Sequence, residues 1–212
     1  MKLAVATKPT FFVEEDKIIT RLFEEGLDYL FLYKEYAHPQ FMERLLNLIP
    51  KKYHKKIYSC NNRLMQEYRL AGTLFPMGSS PIGNEKGKFV GYANNLTHLK
   101  DLRKVYDIVC YGPLGRTYYQ STELNEIGKK MINKNTWAFG NIDEDNLKRL
   151  TKYGFGGVIL EELIWDNFDS CRSTDYTDLI NRFKRIKKAV DKSVARCNSS
   201  DVIFISQFVC RI

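Results

Sequence analysis

The sequence contains no apolar run approaching the ~18 residues that a membrane-crossing helix needs, so a membrane partner is not expected. Its first ten residues hold an early lysine and a short apolar stretch that reads as a strand rather than a signal peptide. The five cysteines are scattered, odd in number and form no C-x-x-C pair, which points to reduced thiols and a cytoplasmic location. The first turn, residues 7–10, has no G-x-G-x-x-G, which argues against a dinucleotide-binding open sheet. There is no long linker, low-complexity tract or shift in composition, so the 212 residues read as one domain. A net charge of +8 invites a nucleic-acid reading, but the cations are spread over helices and loops. No zinc-finger, RNP-like or helix-turn-helix signature accompanies them, and no nucleic-acid partner is expected.

What is present is alternation. Residues 137–162 show it most plainly, reading WAFGNIDEDNLKRLTKYGFGGVILEE. A short apolar strand ends at Gly140, an acidic cap precedes a helix closed by Gly154, and a second apolar strand stops at Glu161 and Glu162. Two strands joined through a helix form a parallel pair, and parallel sheets build their sites at the carboxyl ends of the strands. The same rhythm runs through the whole chain. Strands are predicted at residues 2–7, 28–33, 56–60, 72–75, 89–93, 107–111, 137–139 and 157–160. Helices are predicted at 14–25, 39–48, 61–69, 97–105, 123–132, around 147–150, and at 176–194. Between the fourth and fifth strands, residues 78–88 are polar and glycine-rich and leave room for one helical turn at most.

Eight such units predict an α/β fold, a single (β/α)8 TIM barrel with a short fourth helix. An open doubly wound sheet is the alternative. The barrel is assigned to residues 1–195 and a C-terminal tail to residues 196–212, CNSSDVIFISQFVCRI from Cys197 onward. Residues 202–205 (VIFI) are expected to form an extra strand that packs on the barrel or on another subunit, which would make a homo-oligomer.

Four strand-end segments resemble those of the thiamine phosphate synthase (thiamine-phosphate pyrophosphorylase) and TenI family of barrels. YSCNNR at 58–63 is similar to the family's N-D-R segment, and VGYANN at 90–95 to its G-V-S-x-H. YGPLGRT at 111–117 resembles G-P-V-F-x-T, and FGNIDEDN at 139–146 resembles G-G-I-x-x-x-N. The resemblance spans about residues 1–190. It implies a role in thiamine biosynthesis: a transferase that joins a pyrimidine diphosphate to a thiazole phosphate with magnesium, or a metal-free tautomerase acting on the thiazole phosphate. It also implies a small heterocyclic phosphate as ligand.

Taken residue by residue, the resemblance departs from the standard pattern. The family's Q-x-R-x-K after strand two corresponds to Phe31, Tyr33 and Glu35. Each lost charge-assisted hydrogen bond removes roughly 1.5–3 kcal/mol. The metal-binding aspartate of N-D-R is Asn62, preceded by Asn61, and no acid follows strand four in residues 75–78. Magnesium wants hard anionic oxygens, so the cofactor implied by the family lacks its carboxylates here, and no metal ligand is assigned. Asn61 and Asn62 serve equally as helix caps. The family's Ser and His after strand five are Ala93 and Asn95. Arg116 and Thr117 remain as anion-binding candidates in the strand-six loop. In the phosphate cup, Asn141 and Glu162 replace small residues. The expected substrate-binding set is therefore Tyr33, Asn61, Asn62, Asn95, Arg116, Thr117 and Asn141, with Glu35 and Glu162 as the acid or base. Three functions are compatible with this set: a divergent synthase, a metal-free TenI-like enzyme on a small heterocycle, and a non-catalytic binding barrel.

Overall fold

In the structure, a computed structural model, the described residues are 1–34, 37–81, 87–114 and 131–209, with side chains at 144, 145 and 196–209 left aside. Eight parallel strands close into a barrel in sequence order. They are β1 (Lys2–Ala6), β2 (Tyr29–Leu32), β3 (Ile57–Ser59), β4 (Gly72–Leu74), β5 (Lys88–Ala93), β6 (Ile108–Leu114), β7 (Thr136–Gly140) and β8 (Gly157–Leu160). Closure is made by β1 on β8, from Lys2 opposite Gly157 to Val5 opposite Leu160. Around the strands lie α1 (Glu15–Glu24), α2 (Pro39–Leu48), α3 (Asn62–Glu67), α4 (Leu96–Leu102), α5 (Glu144–Tyr153), α6 (Glu162–Trp165) and α7 (Thr177–Val209). A 3-10 turn, Lys51–Lys56, leads into β3. Among the described residues no helix is long and apolar enough to cross a membrane.

Strand alternation sorts the core into two shells. Outward residues such as Leu3, Val5, Leu30, Leu32, Val158 and Leu160 join the buried helix faces, including Ile18, Ile19 and Leu22 of α1. Inward residues Ala4, Ala6, Phe31, Tyr58, Leu74, Val90, Cys110, Trp137 and Ile159 fill the interior. Phe31 and Trp137 stack at 5.9 Å, and Tyr58 meets Phe31 edge-on at 5.5 Å. These rings fit because β1 supplies alanines and β8 opens with Gly157, where a Cβ would lie 2.5 Å from the Trp137 ring. The interior is thus filled by side chains, and the carboxyl ends of the strands, where barrels of this kind carry their sites, lie above it.

Several local expectations change. Strand β6 runs on to Leu114 instead of turning at Gly112, because Leu114 still pairs with Gly140 of β7 after a register shift. Residues 202–205 are not a ninth strand. They lie within α7, whose backbone stays helical to Val209. No glycine or proline follows Thr177, so nothing in the sequence stops the helix, and that outweighs the β-branched run. Residues 78–81 form no helix, and the rest of the short fourth-helix segment, 82–86, lies outside the described residues. The same holds for most of the helix expected at 123–132.

Candidate functional site

The carboxyl ends of the strands enclose a cavity of about 520 Å³. Four aromatic side chains stand in its wall: Tyr33 follows β2, Tyr92 lies in β5, Phe139 in β7 and Trp165 at the end of α6. Tyr92 and Phe139 meet edge-to-face at 5.4 Å. Trp165 is fixed from two sides. Its indole N–H donates to the Ala6 carbonyl at 2.7 Å, and its ring packs against Phe12 and Phe168 at 5.9 and 5.5 Å. The rim between β1 and β2 is tied by Thr7, whose N–H donates to the Phe31 carbonyl and whose hydroxyl oxygen accepts from the Tyr33 N–H at 3.0 Å.

Charge enters through Glu161, Glu162 and Lys8, all on the cavity wall. Glu161 is the next inward position after Gly157 and Ile159, and it is half-buried. Burial pushes its carboxyl above the ordinary value, and the neighbouring Glu162 carboxylate pushes it further in the same direction. Among the described residues neither glutamate has a hydrogen bond or an ion pair. The Lys8 ammonium donates to the Phe168 carbonyl at 3.3 Å and lies 5.5 Å from the Phe168 ring. Burial also holds the Tyr92 phenol well above its usual range, so it is a neutral hydroxyl at any physiological pH.

Directly behind the rim is a second charged group. Lys34 follows Tyr33 and, by alternation, turns away from the mouth as its position implied. Its ammonium donates to both carboxylate oxygens of Glu15 at 2.8 and 3.0 Å and to the Thr10 carbonyl at 2.6 Å. It also sits 4.5 Å from the Phe11 ring. Both side chains are sealed from solvent. Burial dominates and pushes the Glu15 carboxyl up to about 7 against the pull of Lys34.

The residues singled out in the sequence are distributed unevenly. Tyr33 and Glu162 line the cavity. Asn61 caps α3, accepting from the Leu64 N–H at 3.1 Å, and Asn95 caps α4, accepting from the His98 N–H at 2.8 Å. The Asn62 side-chain oxygen accepts from the Thr73 hydroxyl at 3.3 Å. Asn141 is exposed, with its N–H on the Leu114 carbonyl and its own carbonyl accepting from Asn146 at 3.2 Å. None of these four lines the mouth cavity. Glu35, Arg116 and Thr117 lie outside the described residues. Tyr92, Phe139, Thr7, Lys8 and Trp165 line the cavity without having been singled out in the sequence, and Glu161, marked there only together with Glu162 at the end of the last strand, lines it as well. Counting by twos from Ile159 finds Glu161, whereas nothing in the sequence marks the four-residue helix that brings Trp165 over the mouth.

Magnesium does not fit the positions that the family resemblance assigns to it. Asn62 offers an amide oxygen already engaged by Thr73, residues 75–78 carry no acid, and among the described residues no three His, Cys, Asp or Glu side chains cluster. The amino terminus of α5, beside the expected phosphate cup, is closed by its own residues. Asp143 and Asn146 exchange side-chain and backbone hydrogen bonds, each at 2.9 Å.

No family model matches the sequence, and no curated protein matches it. Solved structures do. A thiamine phosphate pyrophosphorylase from Bacteroides thetaiotaomicron is 40% identical, with a TM-score of 0.82, over 90% of this chain and 98% of that one. A thiamine phosphate pyrophosphorylase from Pyrococcus furiosus is 15% identical, with a TM-score of 0.69, over 91% and 96%. A native KDPGal structure is 13% identical, with a TM-score of 0.63, over 92% and 97%. The last two share the fold.

Proposed function

The chain belongs to the thiamine phosphate pyrophosphorylase family, and from that membership we propose that it binds a heterocycle of thiamine biosynthesis in the mouth cavity, as a divergent member that does without metal-assisted diphosphate transfer. The observation that carries this reading is the makeup of the strand ends. A cavity walled by Tyr33, Tyr92, Phe139 and Trp165 gives a flat aromatic ligand faces to stack on. A diphosphate leaving group, in contrast, needs concentrated positive charge. Among the described residues Lys8 is the cation on the cavity wall, and it shares that wall with two carboxylates.

Glu161 favours a metal-free reaction over the synthase chemistry. A half-buried carboxyl raised above its ordinary value by burial and by Glu162 holds a proton more readily than an exposed one, which suits it to proton exchange. In this reading the rings orient the heterocycle and exclude water, and Glu161 exchanges a proton with the ring.

The test uses the full chain with pyrimidine diphosphate and thiazole phosphate, scoring diphosphate release with and without magnesium. In parallel, melting is followed with thiazole and pyrimidine ligands, since a ligand at 100 times its dissociation constant adds about 2.7 kcal/mol. The expected result is stabilisation by a heterocycle with no magnesium-dependent diphosphate release. Turnover within about tenfold of ~10 s⁻¹, abolished by chelation, would overturn it in favour of the plain synthase. A melting temperature indifferent to every heterocycle would overturn the binding site itself.

A further inference from the structure

Away from the mouth, exposed apolar side chains gather in one place. Val13, Phe41 and Leu48 are 69%, 58% and 56% exposed, and all three line a groove of about 410 Å³ where the loop after β1 meets α2. Phe11 and Leu45 line it too, and the Phe11 ring lies 5.9 Å from that of Phe41. The other large apolar side chains exposed among the described residues, Met77 and Val105, do not line it. Apolar exposure clustered in this way marks an interaction surface.

A second apolar element is the end of α7. The helix buries Leu179, Ile180, Phe183, Ile186 and Val190 against the barrel. Ala195 then lines a cavity at the amino ends of the strands, with Lys2 and Gly156. The backbone stays helical from there to Val209, about 21 Å further at 1.5 Å per residue. The sequence of 202–209, VIFISQFV, is mostly apolar, and residues 204 and 208, like 205 and 209, stand one turn apart. The groove lies toward the carboxyl ends of the strands, on the loop after β1 and along α2. The helix leaves the barrel at the opposite end and continues away from it, so the tail cannot reach the groove of its own barrel.

We propose that the groove receives the apolar end of α7 from a second copy of this chain, and that the exchange is reciprocal. α7 lies beside α1, with the Lys184 ammonium 3.1 Å from the Glu25 carboxylate, so tail and groove belong to one side of the barrel. A two-fold axis across that side sets two barrels antiparallel, and a stagger of one tail length lays each tail along the carboxyl end of the other barrel. Each copy then covers its exposed patch with a helix laid in a groove. This assembly is independent of what the mouth binds.

The test is the molar mass of the full chain in solution, measured by light scattering and expected to be that of a dimer. Two variants divide the contact. Phe204→Glu with Phe208→Glu spoils the tail and keeps the groove. Phe41→Glu with Leu48→Glu spoils the groove and keeps the tail, and both altered residues are exposed, so the fold should survive. Each variant alone should be monomeric. Their equimolar mixture should form a one-to-one complex, joined by the groove of the first and the tail of the second. A chain ending at Ala195 replaces the tail variant if that one misfolds. A monomeric full chain overturns the inference, and its sedimentation with anionic phospholipid vesicles would assign the tail to a lipid surface instead. A groove variant that stays dimeric, or a mixture that does not associate, also overturns it, because the copies would then meet elsewhere.

Discussion

Glu15 and Glu161 are both carboxyls that burial pushes upward, and they differ in what meets them. Glu15 faces Lys34 at 2.8 and 3.0 Å, under the rings of Phe11 and Phe12, with solvent excluded. Glu161 faces a cavity and another glutamate. The first arrangement fastens the loop after β1 to the end of β2, because Lys34 also holds the Thr10 carbonyl. That loop begins with Thr7 and Lys8, so the closed pair underpins part of the wall of the cavity that Glu161 also lines. A buried charge whose partner is built into the fold serves structure. A partly buried charge with no such partner among the described residues, on the wall of a cavity, is open to a ligand.

The largest effect should come from breaking the closed side. Lys34→Met leaves Glu15 buried without its cation, and removing one partner of a buried pair costs about 3–5 kcal/mol. Adding Glu15→Leu should recover most of that loss, because two apolar side chains need no counter-charge. The single variant should also be pH-dependent in a definite direction. Without Lys34 the Glu15 carboxyl rises beyond about 7, since Lys34 is what lowers it. A raised acid is stable in its neutral form below its unfolded value of about 4.5 and loses that stability as pH rises through the folded value. Chemical denaturation of the single variant at acid and alkaline pH checks this. A variant equally stable at both would show that Glu15 finds another cation or water.

A smaller effect separates scaffold from mouth. Asn61→Ala and Asn95→Ala each remove a side-chain acceptor from a helix amino terminus, at the Leu64 and His98 N–H groups. Each should cost about 1 kcal/mol of stability and leave heterocycle affinity unchanged, whereas Phe139→Ala or Tyr92→Ala should weaken binding. Denaturation and calorimetry on the same variants decide the matter. A loss of ligand affinity in Asn95→Ala would move that residue from cap to site.

Much of the barrel is legible in the amino-acid sequence alone. Glycine and proline punctuation with apolar runs marks the eight strands, and the parity of Phe31 and Trp137 marks the interior. The site is less legible, for particular reasons. Asn61 and Asn95 stand just after strands, where an asparagine suits a ligand and a helix cap equally, and only the hydrogen bonds distinguish the two. Glu161 and Glu162 are chemically identical neighbours, and the inward one is found only by carrying strand parity one step past Leu160. Trp165 reaches the mouth through a helix of four residues whose preceding residue makes no side-chain cap, so no start signal marks it. Residues 202–205 have strand-like composition, but they continue a helix that nothing interrupts. Local preference yields there to the register already set from Thr177.

The smallest expected effect is also the one of opposite sign. Glu161→Gln should make the protein more stable, not less. The folded-state carboxyl is raised by burial and by Glu162, so ionised Glu161 opposes the fold. Below the ordinary carboxylate value of 4.5 the group is neutral in both states, and glutamate and glutamine should melt alike. As pH rises through the folded value, the glutamate protein loses stability that the glutamine protein keeps, and a gap in melting temperature should open in favour of the glutamine protein. Glu162→Gln should act the same way more weakly, because Glu162 is exposed and reaches Glu161 only through its field. The gain would come with loss of the proton exchange proposed for Glu161, as expected where a site holds a charge at the expense of the fold. Melting curves at about pH 4 and about pH 8 are sufficient. If Glu161→Gln melts below the unaltered protein at the higher pH, Glu161 has a stabilising partner and belongs with Glu15 as a structural carboxylate.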